Sequence, residues 1–187
     1  LLVIVLLGFA GMWWLRKTFL VEPFEPVEIS QTQARAADAK LKSLNLLNDE
    51  GQISEDFEIP AEGLRLTETE VNYMISQQDF DMSDGLRVDF EPGQIRVELR
   101  QGAAGSQQRW SMSGTVTLKQ TEEELDARLI DLRMGPFALP KSFMDELGKE
   151  NLLEEMFSDP QTKQDFQDNV ETIEIQKDAI LIVPKGK

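Results

Sequence analysis

An acidic turn in the middle of the chain is the first place where residue types and spacing could do chemistry. Asp79, Asp81 and Asp84 precede Gly85 and superficially resemble the start of a calcium-binding loop. An EF-hand loop needs glycine at its sixth position and glutamate at its twelfth. Counted from Asp79, these positions hold Asp84 and Phe90. The spacing therefore favours a solvated turn, with a weakly bound cation as the alternative.

Two polar runs further along are the other candidates for catalysis. The acidic run from 122 to 124 could supply an acid–base pair, and a row of hydroxyls could supply a nucleophile: Ser111, Ser113, Thr115 and Thr117. Without histidine, the activating base would have to be Lys119 or a carboxylate. The strict alternation of the hydroxyls is typical of the solvated face of a strand, and the acidic run suits a solvated strand end. We therefore expect no enzymatic activity and assign no catalytic, metal-binding or cofactor-binding residue.

The composition excludes several classes of function. The chain contains no cysteine and no histidine, which removes disulfides, thiol nucleophiles, the usual zinc sites and imidazole catalysis. Two of its 19 basic residues precede Glu22, so 17 basic and 34 acidic residues follow Val21, a net charge of −17. Such a charge argues against binding nucleic acid and against lying flat on an anionic leaflet.

The elements that must position any site begin with an apolar segment, Leu1 to Val21. Fifteen non-polar residues precede Arg16 and Lys17 and cover roughly 22 Å as a helix, against about 30 Å for a bilayer core. We expect a single transmembrane helix over 1–21, with further residues upstream of it. A cleavable signal peptide is the alternative, although no small-residue cleavage site follows. The residues expected to contact the membrane or a partner are Leu6, Phe9, Trp13, Trp14, Arg16, Lys17 and Phe19.

The orientation of this segment is left open by the sequence. Arg16 and Lys17 alone would keep the following domain in the cytoplasm by the positive-inside rule. That rule compares both flanks of a helix, and it gives little weight to acidic residues.

A connector at 22–29 follows, in which Pro23 and Pro26 predict a stiff spacer that lifts the domain off the membrane. Residues 30–187 then form one acidic domain. Ser30 and Gln33 fit a capping box that starts a helix running to about Leu47. This helix is expected to pack on its own domain, with a stalk or partner helix as the alternative.

The sequence in the middle of the domain predicts a helix followed by antiparallel strands. Thr67 and Glu70 form a second capping box. Alternating strands over 86–91 and 95–100 are joined by a Pro92-Gly93 turn, and strands over 110–119 and 124–133 follow. In the last of these strands, the residues that face inward change from odd to even positions after Leu129, which predicts either a bulge or a crossing between two environments.

The end of the domain is predicted to contain helices after 135–140 and from Pro160, with a break at Gly148. Two strands, 172–176 and 179–183, close the chain. The predicted fold class is α+β: an antiparallel sheet with helices packed on one face, behind one N-terminal transmembrane helix.

Methionine and phenylalanine residues suggest one further hypothesis, a deformable apolar groove for an acyl chain. Ordinary core packing is the favoured interpretation of such residues. The candidate groove residues are Met74, Met112, Met134, Phe137, Phe143 and Met144.

The segment LTETEVNYMI at 66–75, the step Gly135, Leu139 and Pro140, and the strand pair around Ile173 and Ile180 have a recognisable order. In these features, and from Leu1 to Pro184, the chain resembles the YpmS-like family of bacterial single-pass membrane-anchored proteins. The resemblance implies an extracytoplasmic domain and a lipid-related or envelope role, and it implies no catalytic residue.

These expectations describe a non-enzymatic interaction protein, an accessory or scaffold subunit of a bacterial membrane protein complex. Its expected location is the inner (cytoplasmic) membrane, with a periplasmic domain. The expected partners are the lipid bilayer and other membrane subunits, with no nucleic acid and no cofactor. The alternative is a lipid-binding or envelope-maintenance module that uses the apolar groove.

Overall fold

A computed structural model describes residues 20–44, 59–77, 85–102, 109–120, 125–154, 157 and 160–186. The predicted transmembrane residues 1–19 lie outside these ranges, as do the acidic positions 79–84 and 122–124. Within the described ranges, no helix combines the length and the apolar character needed to cross a bilayer. Leu20 and Val21, which end the predicted membrane segment, form a short strand instead.

The described elements are four helices and nine strands. The helices are α1 (Gln31–Leu44), α2 (Glu68–Ser76), α3 (Lys141–Leu147) and α4 (Pro160–Asn169). The first five strands are β1 (Leu20–Val21), β2 (Leu64–Thr67), β3 (Leu86–Glu91), β4 (Gln94–Gln101) and β5 (Arg109–Gln120). The last four are β6 (Leu125–Met134), β7 (Phe137–Ala138), β8 (Val170–Gln176) and β9 (Ala179–Pro184).

Two antiparallel sheets organise the domain. The larger has six strands in the order β3-β4-β5-β6-β7, with β1 added beside β5, and the smaller has the order β2-β9-β8. The predicted α+β class with antiparallel strands is therefore confirmed. The prediction of a single sheet with helices on one face is corrected. The layer that packs on the large sheet contains the small sheet as well as helices. Strand β2 was not predicted, since its four residues are too short to show alternation.

The core lies between these two layers. Leu64, Leu66 and Ile182 of the small sheet, Met74 of α2 and Phe166 of α4 are all buried in one cluster. Leu125 of the large sheet joins the same cluster. Burying such apolar side chains contributes about 1.5–3 kcal/mol each. This cluster therefore fixes the small sheet and the helices on the large sheet.

Both predicted capping boxes are present. In α2, the Thr67 side chain accepts from the Glu70 N–H at 3.3 Å, and the Thr67 N–H donates to Glu70 Oε2 at 2.8 Å. In α1, Gln33 N–H donates to Ser30 Oγ at 3.3 Å and Ser30 N–H donates to Gln33 Oε1 at 3.1 Å. These reciprocal bonds satisfy backbone donors that a helix start leaves free.

The predicted bulge is also confirmed. Thr115 pairs with Asp131 and Val116 pairs with Leu129, so Ile130 is the extra residue of β6. It is 49% exposed. The bulge returns Leu132 to the inward face after Leu129, which explains the change of parity in the sequence.

Side-chain amides close three strand edges in the same way. Asn72 Nδ2 donates to Val88 O and Val88 N–H donates to Asn72 Oδ1, both at 2.8 Å, at the outer edge of β3. Asn151 makes the equivalent pair with Leu125 O and Ala127 N–H on β6, at 3.0 Å each. Gln120 makes the third, with the backbone of β8: Glu171 O at 2.6 Å and Ile173 N–H at 2.8 Å. Each amide replaces the hydrogen bonds of a missing strand.

Candidate functional site

The connector at 22–29 is bound to the polar face of the large sheet. Strand β1 pairs with the start of β5, Leu20 with Trp110 and Val21 with Arg109. Beyond β1, Arg100 Nη1 donates to the Glu22 carbonyl at 3.0 Å, and Arg87 Nη2 donates to the Glu25 carbonyl at 3.3 Å. The connector therefore contacts its own domain, and its role as a spacer between the domain and a membrane stays a prediction from the sequence.

Phe24 is the centre of this attachment. The Arg100 guanidinium carbon lies 3.9 Å from the centroid of its ring, and that of Arg87 lies 5.1 Å from it. Guanidinium groups at these distances attract the negative face of an aromatic ring. Arg100 is itself held in place by Glu98, whose Oε1 lies 2.8 Å from its Nε. We call this arrangement of Phe24, Arg87 and Arg100 the connector clamp.

A cleft of about 610 Å³ lies between the connector and the sheet. The connector side is lined by residues 22–25, and the sheet side is lined by charged residues of β3 and β4. Opposite charges face each other across the two strands, since Arg87 pairs with Glu98 and Asp89 pairs with Arg96 in the ladder. The cleft therefore presents a mixed pattern of acidic and basic side chains, and Glu68 of α2 also belongs to its lining.

A second cavity of about 290 Å³ continues along the same face. Its lining includes Ser113 and Thr115 of β5 and the ion pair between Arg133 Nε and Asp131 Oδ2, at 2.9 Å. The two hydroxyls occupy the polar face of the sheet, as their alternation predicted.

Arg96 lines both cavities and is exposed. Arg87 and Arg100 are engaged in the clamp, and Arg133 is engaged by Asp131. Among these four arginines, Arg96 is the one without an ion pair, hydrogen bond or ring contact to another residue of the described ranges. Its guanidinium is therefore the group on this face that is available to an acidic partner group.

Two glutamates at the start of α2 have opposite electrostatic surroundings. Burial raises the pKa of Glu68, and the neighbouring carboxylates of Asp89 and Asp178 raise it further, against a lowering hydrogen bond from Phe90 N–H. For Glu70, burial also acts to raise the pKa, but hydrogen bonds from Lys40 and Thr67 outweigh it and hold the pKa below its usual value. Within the described ranges, no cluster of three or more acidic side chains is arranged to hold a metal ion.

The predicted groove residues differ in their burial. Met74 is buried in the core, whereas Met134, Phe137 and Phe143 are exposed. Neither of the two cavities described above includes any of the six residues. The separation arises because α2 packs on β3, while the other five residues belong to β5, β6, β7 and α3. The predicted membrane-contact residues, Leu6 to Phe19, lie outside the described ranges.

Exposed apolar side chains gather instead at the end of the sheet where β1 enters. Trp110 is 37% exposed, Met134 50%, Phe137 47% and Phe143 61%. Trp110 and Met112 alternate along β5, Met112 pairs with Met134, and Met134 pairs with Phe137, so these four residues lie on one face of the sheet. Phe143 belongs to α3, which follows β7 in the chain and contacts β6. We call Trp110, Met134, Phe137 and Phe143 the apolar collar.

Comparison of the chain with protein-family models, with curated proteins and with solved structures finds no match. The resemblance to the YpmS-like family stays an expectation from the sequence.

The connector clamp was missed by the sequence reasoning. Arg87 and Arg100 were interpreted only as the solvated side of two alternating strands, which is where they lie. The available signal was Phe24, a single aromatic residue between two prolines in an otherwise acidic connector. One aromatic residue does not identify its partners, which come from strands more than 60 positions away.

Proposed function

We propose that this chain is a non-enzymatic, membrane-anchored interaction protein, an accessory or scaffold subunit of a bacterial membrane protein complex with its domain outside the cytoplasm. The proposed anchor is the apolar segment that precedes β1, residues 1–19, whose hydrophobicity, Trp pair and basic residues support a membrane role.

The observation that carries the proposal is the connector clamp. A flexible tether lets a domain rotate freely, which reduces the fraction of time that any one surface faces a partner. Here strand β1 and the clamp hold residues 20–25 on the sheet through backbone pairing, two hydrogen bonds and two cation–π contacts. Residues 20–25 thereby have one position on the domain, which is what a scaffold subunit of fixed orientation would need.

The surface proposed to bind the partner is the polar face with its two cavities. The strand edges closed by Asn72, Asn151 and Gln120 do not offer free backbone groups for an added strand. The polar face offers Arg96, which lines both cavities and has no partner within the described part of the chain. An acidic side chain of a partner subunit would pair with this guanidinium.

The experiment is native purification of the full chain from its own membrane fraction, followed by native gel electrophoresis and mass spectrometry. We expect a complex of defined stoichiometry. Arg96→Glu should weaken it by about tenfold or more, because a like charge then faces the acidic group of the partner.

Lys177→Glu is the matched control. It makes the same change of charge in the exposed β8–β9 turn, away from both cavities, and should leave the complex intact. A chain that is recovered from its own membranes only as a monomer would contradict the proposal.

The alternative of a lipid-binding module has less support. It depends on Met74 and the exposed residues Met134, Phe137 and Phe143 lining one space, and Met74 is instead part of the core.

A further inference from the structure

The apolar collar lies close to β1, the first strand of the domain. Leu20 pairs with Trp110, and the next carbonyl along β5, that of Ser111, accepts from Gly135 N–H at 2.8 Å. Gly135 begins the turn between Met134 and Phe137. Strand β1 and the β6–β7 turn therefore lie next to each other on the same side of β5.

The direction of β1 decides which of its two ends lies nearer this turn. Because β1 is antiparallel to β5, the chain runs from Trp110 towards Arg109 as it passes from Leu20 to Val21. Leu20, the first residue of β1, is therefore at the end of the strand that lies nearer Ser111 and the Gly135 turn. The segment before Leu20 is the most apolar one in the sequence, and Leu20 itself pairs with Trp110, an exposed apolar residue of the large sheet.

The collar also lies at one end of an otherwise polar, acidic molecule. Thr117 lies seven positions beyond Trp110 along β5 and pairs with Gln94 beside the β3–β4 turn. At the usual rise of a strand this is a distance of about 23 Å. Gly93 N–H donates to Ile175 O at 2.9 Å, so the β8–β9 hairpin belongs to the far end.

We infer that the collar lies in the interfacial region of the bilayer that holds the N-terminal segment. The end of the large sheet that carries the collar is then the part of the domain that contacts the membrane. The inference rests on the proposed membrane anchoring and adds the surface by which the domain contacts lipid. Tryptophan and phenylalanine are favoured at membrane interfaces, where their rings lie at the level of the headgroups. Lys141, which is exposed and lies between Phe137 and Phe143 in the chain, can reach lipid phosphates.

End-on contact agrees with the charge of the domain. A net charge of −17 after Val21 repels an anionic leaflet, so a broad electrostatic contact is unfavourable. A small apolar contact avoids this repulsion, since only one end of the sheet approaches the headgroups. Four exposed apolar residues, each partly withdrawn from water, gain free energy by entering the interface.

The absence of cysteine makes the test direct, because one introduced cysteine can carry a single nitroxide label. The full chain would be reconstituted in vesicles of phosphatidylcholine without any other protein. Labels would be placed by Met134→Cys, Phe137→Cys and Phe143→Cys, with Lys177→Cys as the control at the far end. Collision rates with dissolved oxygen, which concentrates in lipid, and with a water-soluble nickel chelate would then be measured by electron paramagnetic resonance.

We expect the three collar labels to collide more with oxygen than with the chelate, and the Lys177→Cys label to show the reverse. Collar labels as accessible to the chelate as the control label would overturn the inference. Collar labels shielded from both reagents would also overturn it, because they would indicate a protein–protein contact between copies.

Two further measurements separate this inference from the proposed function. Flotation of the labelled chain with the vesicles tests the membrane anchor itself. A chain that fails to float would contradict both the inference and the proposed function. Flotation with water-exposed collar labels would overturn the inference alone and would leave the complex in native membranes as the test of the proposed function. The circular dichroism spectrum of each variant should match that of the wild type, so that a changed accessibility reports position rather than unfolding.

Discussion

Glu68 and Glu70 are two residues apart in the first turn of α2, yet their surroundings act on them in opposite directions. Glu70 accepts from Lys40 Nζ at 2.6 Å and from Thr67 N–H at 2.8 Å, and these bonds favour its ionised form. Glu68 faces Asp89 and Asp178, and these carboxylates disfavour its ionised form. A single helix start therefore contains one carboxylate that stabilises the fold by ionising and one that does not.

Replacement of Glu70 should reveal the first effect. Its pKa is lowered in the folded state, so its ionised form contributes stability above the usual value of 4.5, and this contribution is lost as the pH falls through the folded-state pKa. We expect Glu70→Gln to lower the free energy of unfolding by about 1–2 kcal/mol at pH 7. The difference from wild type should shrink below pH 4.5. Urea denaturation at a series of pH values measures both.

Replacement of Glu68 should have the opposite pH dependence. Its pKa is raised in the folded state, so ionisation costs stability, and this cost appears as the pH rises through 4.5 towards the raised value. The amide oxygen of Glu68→Gln can still accept from Phe90 N–H, a bond of 3.2 Å in the native protein. The variant should therefore gain stability relative to wild type as the pH rises. The same denaturation series measures it, and a parallel response of the two variants would contradict the assignment.

Phe24 should determine whether the connector stays on the sheet. Phe24→Ala removes the ring that Arg87 and Arg100 contact, which should cost about 1–2 kcal/mol at two cation–π contacts. We expect faster cleavage after Glu28 by a glutamate-specific protease, because Glu22 and Glu25 each precede a proline and are not cleaved by such enzymes. Phe24→Trp keeps an aromatic face and should resist cleavage. An unchanged rate in Phe24→Ala would show that β1 alone holds the connector.

At the scale of elements, the amides of Asn72 and Asn151 replace missing neighbour strands. Removal of either side chain leaves a backbone N–H and a carbonyl at a strand edge without a partner. We expect Asn72→Ala and Asn151→Ala each to lower the free energy of unfolding by about 1–3 kcal/mol. Chemical denaturation monitored by circular dichroism measures this.

Asn169→Ala is the matched control for these two variants. Asn169 is exposed and donates to one carbonyl, that of Asp165, at 2.7 Å. Its removal should change the stability by no more than about 0.5 kcal/mol. Equal effects at the three positions would argue that the edge amides have no special role.

The bulge in β6 leads to a prediction about deletion. Ile130 is the extra residue, so its removal leaves Leu129, Asp131 and Leu132 with their present in–out alternation. We expect the Ile130 deletion to fold with a stability within about 1 kcal/mol of wild type. Deletion of Glu98 from β4, whose pairing is regular on both sides, should prevent folding because it turns Arg100 towards the apolar face. Thermal unfolding of both deletions is the measurement, and similar outcomes would contradict the bulge assignment.

At the scale of the whole molecule, charge should set the response to salt. The residues after Val21 carry a net charge of −17, and like charges destabilise a compact state by mutual repulsion. Sodium chloride screens this repulsion, with a Debye length of about 10 Å at 0.1 M. We expect the melting temperature to rise with salt at neutral pH. Calorimetry measures it, and a temperature that falls with salt would show that attractive pairs, such as Lys40 with Glu70, dominate instead.

The contacts that attach α1 and β2 to the core could not be predicted from the sequence. Ala37 and Leu64 are both buried in one cluster, and Lys40 Nζ donates to the Arg65 carbonyl at 2.8 Å. Neither contact has a local signal, since 25 positions separate Lys40 from Arg65. By contrast, the β3–β4 hairpin is local: alternation and a Pro92-Gly93 turn specify it, and Gly93 adopts the left-handed φ of 74° that glycine tolerates.

The sequence by itself determined the α+β class, both capping boxes, the hairpin, the bulge and the acidic surface. These features depend on periodicity, turn chemistry and composition, which are properties of neighbouring residues. The tertiary structure alone decided that a second sheet forms, that amides close three strand edges, and that Phe24 lies between Arg87 and Arg100. These features need residues that are distant in the chain, and pairing at such distances depends on how whole elements pack rather than on any local pattern.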